Sequence, residues 1–163
     1  MAAGTGLRFV VKATVVSTAA YLVSGGLAYV LLTKRFYVGD HAVFAGFLRS
    51  EANPELWAHV TRWQIPILLA RSLLISIVLL PFREVVSALA PLARTAVLFG
   101  LFFVLLHMAA AAPSPSNLEG LVYMRPELVG LDVFLLTQPE MIAQCLLMAV
   151  GIGLWACRPV LRR

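Results

Sequence analysis

Three ionisable side chains interrupt the apolar runs of this sequence, Arg71, His107 and Glu140, and Gln144 follows one helical turn after the glutamate. A charge inside such a run is costly in an apolar medium, so it is expected to meet a partner, a cavity or a headgroup. An arginine and a glutamate on neighbouring helices relieve that cost by pairing. Joined by a histidine and an amide, they form a cluster with the chemistry to relay a proton or line a solute path. The plainer reading is that the pair fixes helix register, with Arg71 reaching outward along its long stem and His107 hydrogen-bonded in the packing.

Other chemistry is thinly represented. Glu55 and His59 are one turn apart and can face one way on a helix, which makes a metal site conceivable. No His-Glu-x-x-His element, second spaced ligand pair, nucleophile–base arrangement or glycine-rich phosphate loop accompanies them. Gly25-Gly26 and Gly151-x-Gly153 lie inside apolar runs, where close helix packing accounts for them. No catalytic residue, metal ligand set or cofactor is therefore assigned. Cys145 and Cys157 fall on one predicted helix, roughly 18 Å apart by its rise, too far to bond each other. Asn117-Leu118-Glu119-Gly120-Leu121-Val122-Tyr123 has the look of a motif, but no chemistry attaches to it.

These side chains have to be positioned by helices in a membrane. Of 163 residues, 61% are hydrophobic and 13% charged, and the mean hydropathy is +0.90. That leaves too little polar surface to cover a water-soluble globule. The patterning predicts an all-α, integral membrane four-helix bundle in a single domain. Its spans lie at about residues 12–33, 64–82, 93–112 and 138–157, with short interfacial helices in the two outer loops. For the first run a cleaved signal peptide is the rival, but the run is longer than a signal core and is flanked by Tyr29, Phe36 and Tyr37. Residues 40–63 are too charged to span and are expected to lie along the surface, with Asn53-Pro54-Glu55 starting a helix. Span two is expected to begin at Gln64 with Pro66 in its first turn, and residues 83–94 to form a linker. Span four is expected to open at Thr137 as cap, with Pro139 in the first turn and Glu140 reaching back to a free backbone N–H. Ser116 and Glu119 look like a second capping box.

The formal charge of +5 does not point to nucleic acid, because the basic residues stand at segment ends rather than in a patch. With both termini cytoplasmic, that side carries Arg8, Lys12, Arg83, Arg94, Arg158, Arg162 and Arg163, against Lys34, Arg35, Arg49, Arg62 and Arg125 outside. This is the bias expected of the cytoplasmic face. Small residues recur at helical spacing as Ser17, Ala20, Ser24 and Ala28 in span one and as Cys145, Ala149 and Gly153 in span four. Such stripes admit another helix closely. The leading expectation is thus a non-enzymatic subunit that packs on other membrane proteins, or on itself, within the lipid bilayer. The alternative is a homo-oligomeric small transporter or channel using the Arg71, His107, Glu140 and Gln144 cluster, and a membrane-embedded enzyme comes third. The discriminator is where the polar side chains point: into one cavity, or toward scattered contacts.

Overall fold

Every regular element is helical among residues 3–110 and 112–157, which the computed structural model describes. Arg158, Arg162 and Arg163 lie outside the described residues. Four helices are long and apolar enough to cross a membrane: Gly4–Phe36, Pro54–Ala88, Pro91–Met108 and Leu131–Ala156.

The first begins as α1 (Ala3–Ala28), runs on through a wide π turn (Tyr29–Thr33) and tightens into a 3-10 turn (Lys34–Phe36). Gly39, at φ 95°, turns the chain back, a backbone angle that glycine adopts without a Cβ clash. Helix α2 (Pro54–Leu79) starts where expected. The Asn53 side chain accepts hydrogen bonds from the backbone N–H groups of Glu55 (3.1 Å) and Leu56 (3.2 Å). It does not stop before Pro66, however, so the expected surface helix and span two are one continuous element. Proline removes one backbone donor, and the carbonyl one turn back belongs to Arg62, an exposed residue. The expected linker after residue 83 is also largely helical: a 3-10 turn (Leu80–Phe82) leads into α3 (Arg83–Ala88), and the chain breaks only at 89–90 before α4 (Pro91–Gly100). Helix α4 continues as a π-helical stretch, Leu101–Met108, which carries His107.

A short α5 (Leu118–Tyr123) lies in the connection that follows, and α6 (Leu131–Gly151) then runs into a π turn, Ile152–Ala156. Here too the expected start was displaced. Helix α6 begins at Leu131 after Gly130, and Thr137, Pro139 and Glu140 lie within it. Instead of capping, the Thr137 hydroxyl and the Gln138 amide both donate to the Phe134 carbonyl, at 2.8 and 3.2 Å, in the turn that the proline disturbs. The added first turns are held by Val133, which packs with Phe36 and Phe44 in a buried cluster at the end away from the termini, called the far end below. The second capping box also moves by one residue, since Asn117, not Ser116, caps α5.

In space the helices stand in the order α2, α1, α6, α4. Burial follows this order. In the most apolar stretches of the helices, 39% of residues are buried in the fourth and 28% in the first, against 17% in each of the other two. Both small-residue stripes lie in the interior of this arrangement: Ser17, Ala20, Ser24 and Ala28 are buried, as are Cys145, Ala149 and Gly153. Gly151 meets Val16 so closely that a Cβ has no room there. Thus the stripes bring this chain's own helices together.

At the terminal end the bundle is closed by Arg94, which is 7% exposed. Its Nε donates to the Val86 carbonyl (3.1 Å), Nη1 to those of Gly153 (2.8 Å) and Cys157 (3.4 Å), and Nη2 to those of Ser87 (2.7 Å) and Leu89 (2.9 Å). The last carbonyls of a helix have no partner of their own and carry its negative dipole end, so one guanidinium ties α3, α4 and the end of α6 together. Nearby, the Lys12 ammonium donates to the Trp155 carbonyl at 3.4 Å and lies 5.1 Å from the indole centroid, linking the start of α1 to the end of α6.

Candidate functional site

The connection between α1 and α2 folds back over the far end and leaves a hollow beneath it. Phe36, Tyr37, Phe44 and Phe47 pack ring to ring, with centroids 5.2–5.6 Å apart along the series. Tyr29 stands edge-on to Tyr37 at 5.3 Å. The Lys34 ammonium holds the Glu51 carboxylate at 2.7 Å, so the returning segment is fastened to the end of the first span. That hydrogen bond keeps the Glu51 carboxyl below its ordinary range.

Under this cover is a cavity of about 710 Å³. Its first-span wall is Tyr21 and Gly25 of α1 with Tyr29 of the π turn that follows, and its α2 wall is Trp57, Val60 and Gln64. Tyr37, Phe47, Leu48 and Arg49 come from the connection, and Glu140 from α6. The carboxylate rests against the α1 wall at this glycine: a Cβ at Gly25 would stand 3.4 Å from Glu140 Oε1, about van der Waals contact. Among the described residues, no hydrogen bond or ion pair reaches the Glu140 carboxylate. Burial, with the Glu140 charge acting in the same direction, pushes the Tyr37 phenol up to about 12, so it stays a neutral hydroxyl across physiological pH. Glu140 also borders a second hollow of about 200 Å³ on the other side of α1, lined by Val23, Leu27, Leu31 and Leu147 and almost wholly apolar.

Of the four residues expected to cluster, Glu140 lines the cavity and Arg71, His107 and Gln144 do not. The Arg71 guanidinium lies over the Tyr21 ring, 5.3 Å from its centroid, and makes no ion pair with Glu140 among the described residues. The cation–π contact supplies part of what a counter-ion would, and it holds the arginine one turn of α1 away from Gly25. Counting equal steps outward from the Arg94–Gly153 contact brings His107 level with Glu140, yet His107 is not among the residues that line the cavity. Its Nε2 is buried without a hydrogen-bond partner among the described residues. Gln144 is 1% exposed and turns its amide nitrogen to Met148 Sδ at 4.0 Å, away from Glu140. Glu55 and His59 are exposed on the first turns of α2. Among the described residues no three His, Cys, Asp or Glu side chains gather to hold a metal.

Sequence reasoning missed the aromatic half of the site. Tyr21, Gly25 and Tyr29 repeat at one-turn spacing, a signal that was present but was read as small-residue packing and an interfacial belt. Trp57 falls within residues 40–63, the stretch expected to lie along the surface.

The chain matches no protein-family model, and neither the curated proteins nor the solved structures gave a match.

Proposed function

We propose that the chain is a small multi-pass integral membrane protein that binds a ligand of modest size in the cavity between its first two spans, and that it acts without catalysis of its own. Four helices of membrane-spanning length and apolarity support the first part. One observation carries the second: a hollow of about 710 Å³ combines an apolar, aromatic wall with one carboxyl group that has no hydrogen bond or ion pair among the described residues. Ligand sites have this form, mostly apolar with a few polar groups that fix orientation. A carboxyl group in apolar surroundings is costly, and a bound ligand offsets that cost.

The reading of an accessory subunit draws less support. The stripes that were to receive a partner are occupied by the chain's own helices. The outward apolar residues of α2, such as Leu73, Leu74, Ile77 and Val78, are a surface that lipid covers without a partner protein.

Gly26 lines the cavity and has nothing within 4 Å of an added Cβ, so Gly26→Phe sets a bulky ring on the cavity wall without disturbing the backbone. Native mass spectrometry of the protein extracted in mild detergent is expected to show a bound small molecule in the wild type and none in Gly26→Phe. A wild type with no bound mass, or one whose adduct survives in Gly26→Phe, would overturn the reading.

A further inference from the structure

We propose that the cavity takes a singly charged amphipathic organic cation, an ammonium or phosphonium with apolar substituents, with Glu140 as its counter-ion and Tyr29, Tyr37 and Trp57 among its walls. The inference rests on the reading that the cavity holds a ligand, and goes beyond it by naming the ligand's charge and character.

The sign of the ligand follows from which charges stand on the cavity wall without a partner. Lys34 is bound to Glu51 at 2.7 Å, and Arg71 keeps its charge over the Tyr21 ring and does not line the cavity. Glu140 is left on the wall with no hydrogen bond or ion pair among the described residues. An anion in the cavity would be repelled by it, and a neutral occupant would leave the carboxylate desolvated and unpaired. A cation meets it, and the aromatic rings add attraction through their negative faces. The apolar part of the ligand follows from the wall, where Leu22, Phe47, Leu48 and Val60 stand beside the rings. Arg49, exposed at the mouth, disfavours a second positive charge but is screened by water there. The ligand is therefore a monocation. About 710 Å³ is room for a drug-sized molecule.

Tetraphenylphosphonium and tetraphenylborate, which share a shape and differ in sign, separate charge recognition from partition into detergent. The reporter is the fluorescence of Trp57, with Trp63→Phe and Trp155→Phe as background. The phosphonium is expected to give a saturable change that Glu140→Gln weakens by about tenfold or more, the loss expected when one side of a partly desolvated charge pair is removed. The borate is expected to give no saturable change in either protein. A second measurement needs no variant of Glu140: in the wild type, the phosphonium but not the borate is expected to slow modification of Glu140 by dicyclohexylcarbodiimide. If both ions bind saturably and Glu140→Gln changes neither, the cavity is a ligand site and the cation inference is wrong. If neither ion binds while native mass spectrometry shows a bound molecule lost in Gly26→Phe, the inference again fails and the ligand reading stands. Equal protection by both ions would also overturn it.

Discussion

Arg94 and Arg71 show how differently one residue type is accommodated in this chain. Arg94 donates five hydrogen bonds to carbonyls at helix ends and is almost fully buried, so its charge is spread over the negative ends of two helices. Arg71 has a tyrosine ring instead. Only the first is built into the closure of the bundle. Arg94→Met is expected to destabilise the protein by about 3 kcal/mol or more, because each buried carbonyl that loses its donor costs about 1–3 kcal/mol. Arg94→Lys should recover only part of the loss, since an ammonium has three donors and no planar fork. Thermal unfolding in one detergent, compared across the three proteins, measures this. A change within 0.5 kcal/mol, on the order of an ordinary surface substitution, would show that the clamp contributes little. From the sequence Arg94 was legible only as a topology signal, because its role depends on carbonyls of Gly153 and Cys157 that are distant along the chain.

At the level of elements, the apolar runs located all four long helices, and two of the misplaced boundaries came from prolines. Pro66 and Pro139 each have the sequence setting of a first turn, and each lies inside its helix. A Thr-Gln-Pro-Glu stretch has the local chemistry of a helix start whether or not a helix already precedes it. What decides is tertiary: Val133 finds Phe36 and Phe44, so the six residues ahead of Thr137 are helical as well. Glu140 was consequently displaced from the end of its helix into the cavity wall, which altered the reading of the site. The connection before α6 shows the reverse case, where a motif was visible and its purpose was not. Asn117, 1% exposed, donates to the carbonyls of Ala110 (3.2 Å) and Ala112 (2.8 Å) and accepts from the N–H groups of Ser114 (3.0 Å) and Gly120 (2.8 Å). At Gly120 a Cβ would run into the Ser114 carbonyl, which accounts for the glycine. Gln138 then fastens the loop to α6 by donating to the Ser116 carbonyl at 3.1 Å. Asn117→Ala is expected to raise amide exchange at Ser114 and Gly120 strongly. Asn117→Asp, which keeps the acceptor and loses the donors, should raise it less. Equal protection in all three proteins would mean the loop is held by other contacts.

Taken whole, the molecule has a tightly packed central pair, α1 against α6, with α2 packed on α1 and α4 packed on α6. At the terminal end Arg94 and Lys12 close the bundle with polar contacts, while at the far end the connection held by Lys34 and Glu51 covers the cavity. The central claim is that this far-end cavity is a water-reachable pocket entered from one face of the membrane. Cysteine labelling in sealed vesicles tests it most directly, because the native Cys145 and Cys157 are 0% and 1% exposed and should stay silent. Gly26→Cys, Val60→Cys and Gln64→Cys place a thiol on the cavity wall, and Leu74→Cys places one on an outward apolar face. The three cavity thiols are expected to react with a membrane-impermeant maleimide from one side of the vesicle only, and Leu74→Cys from neither. Cavity thiols as unreactive as Leu74→Cys, or labelled equally from both sides, would contradict the account.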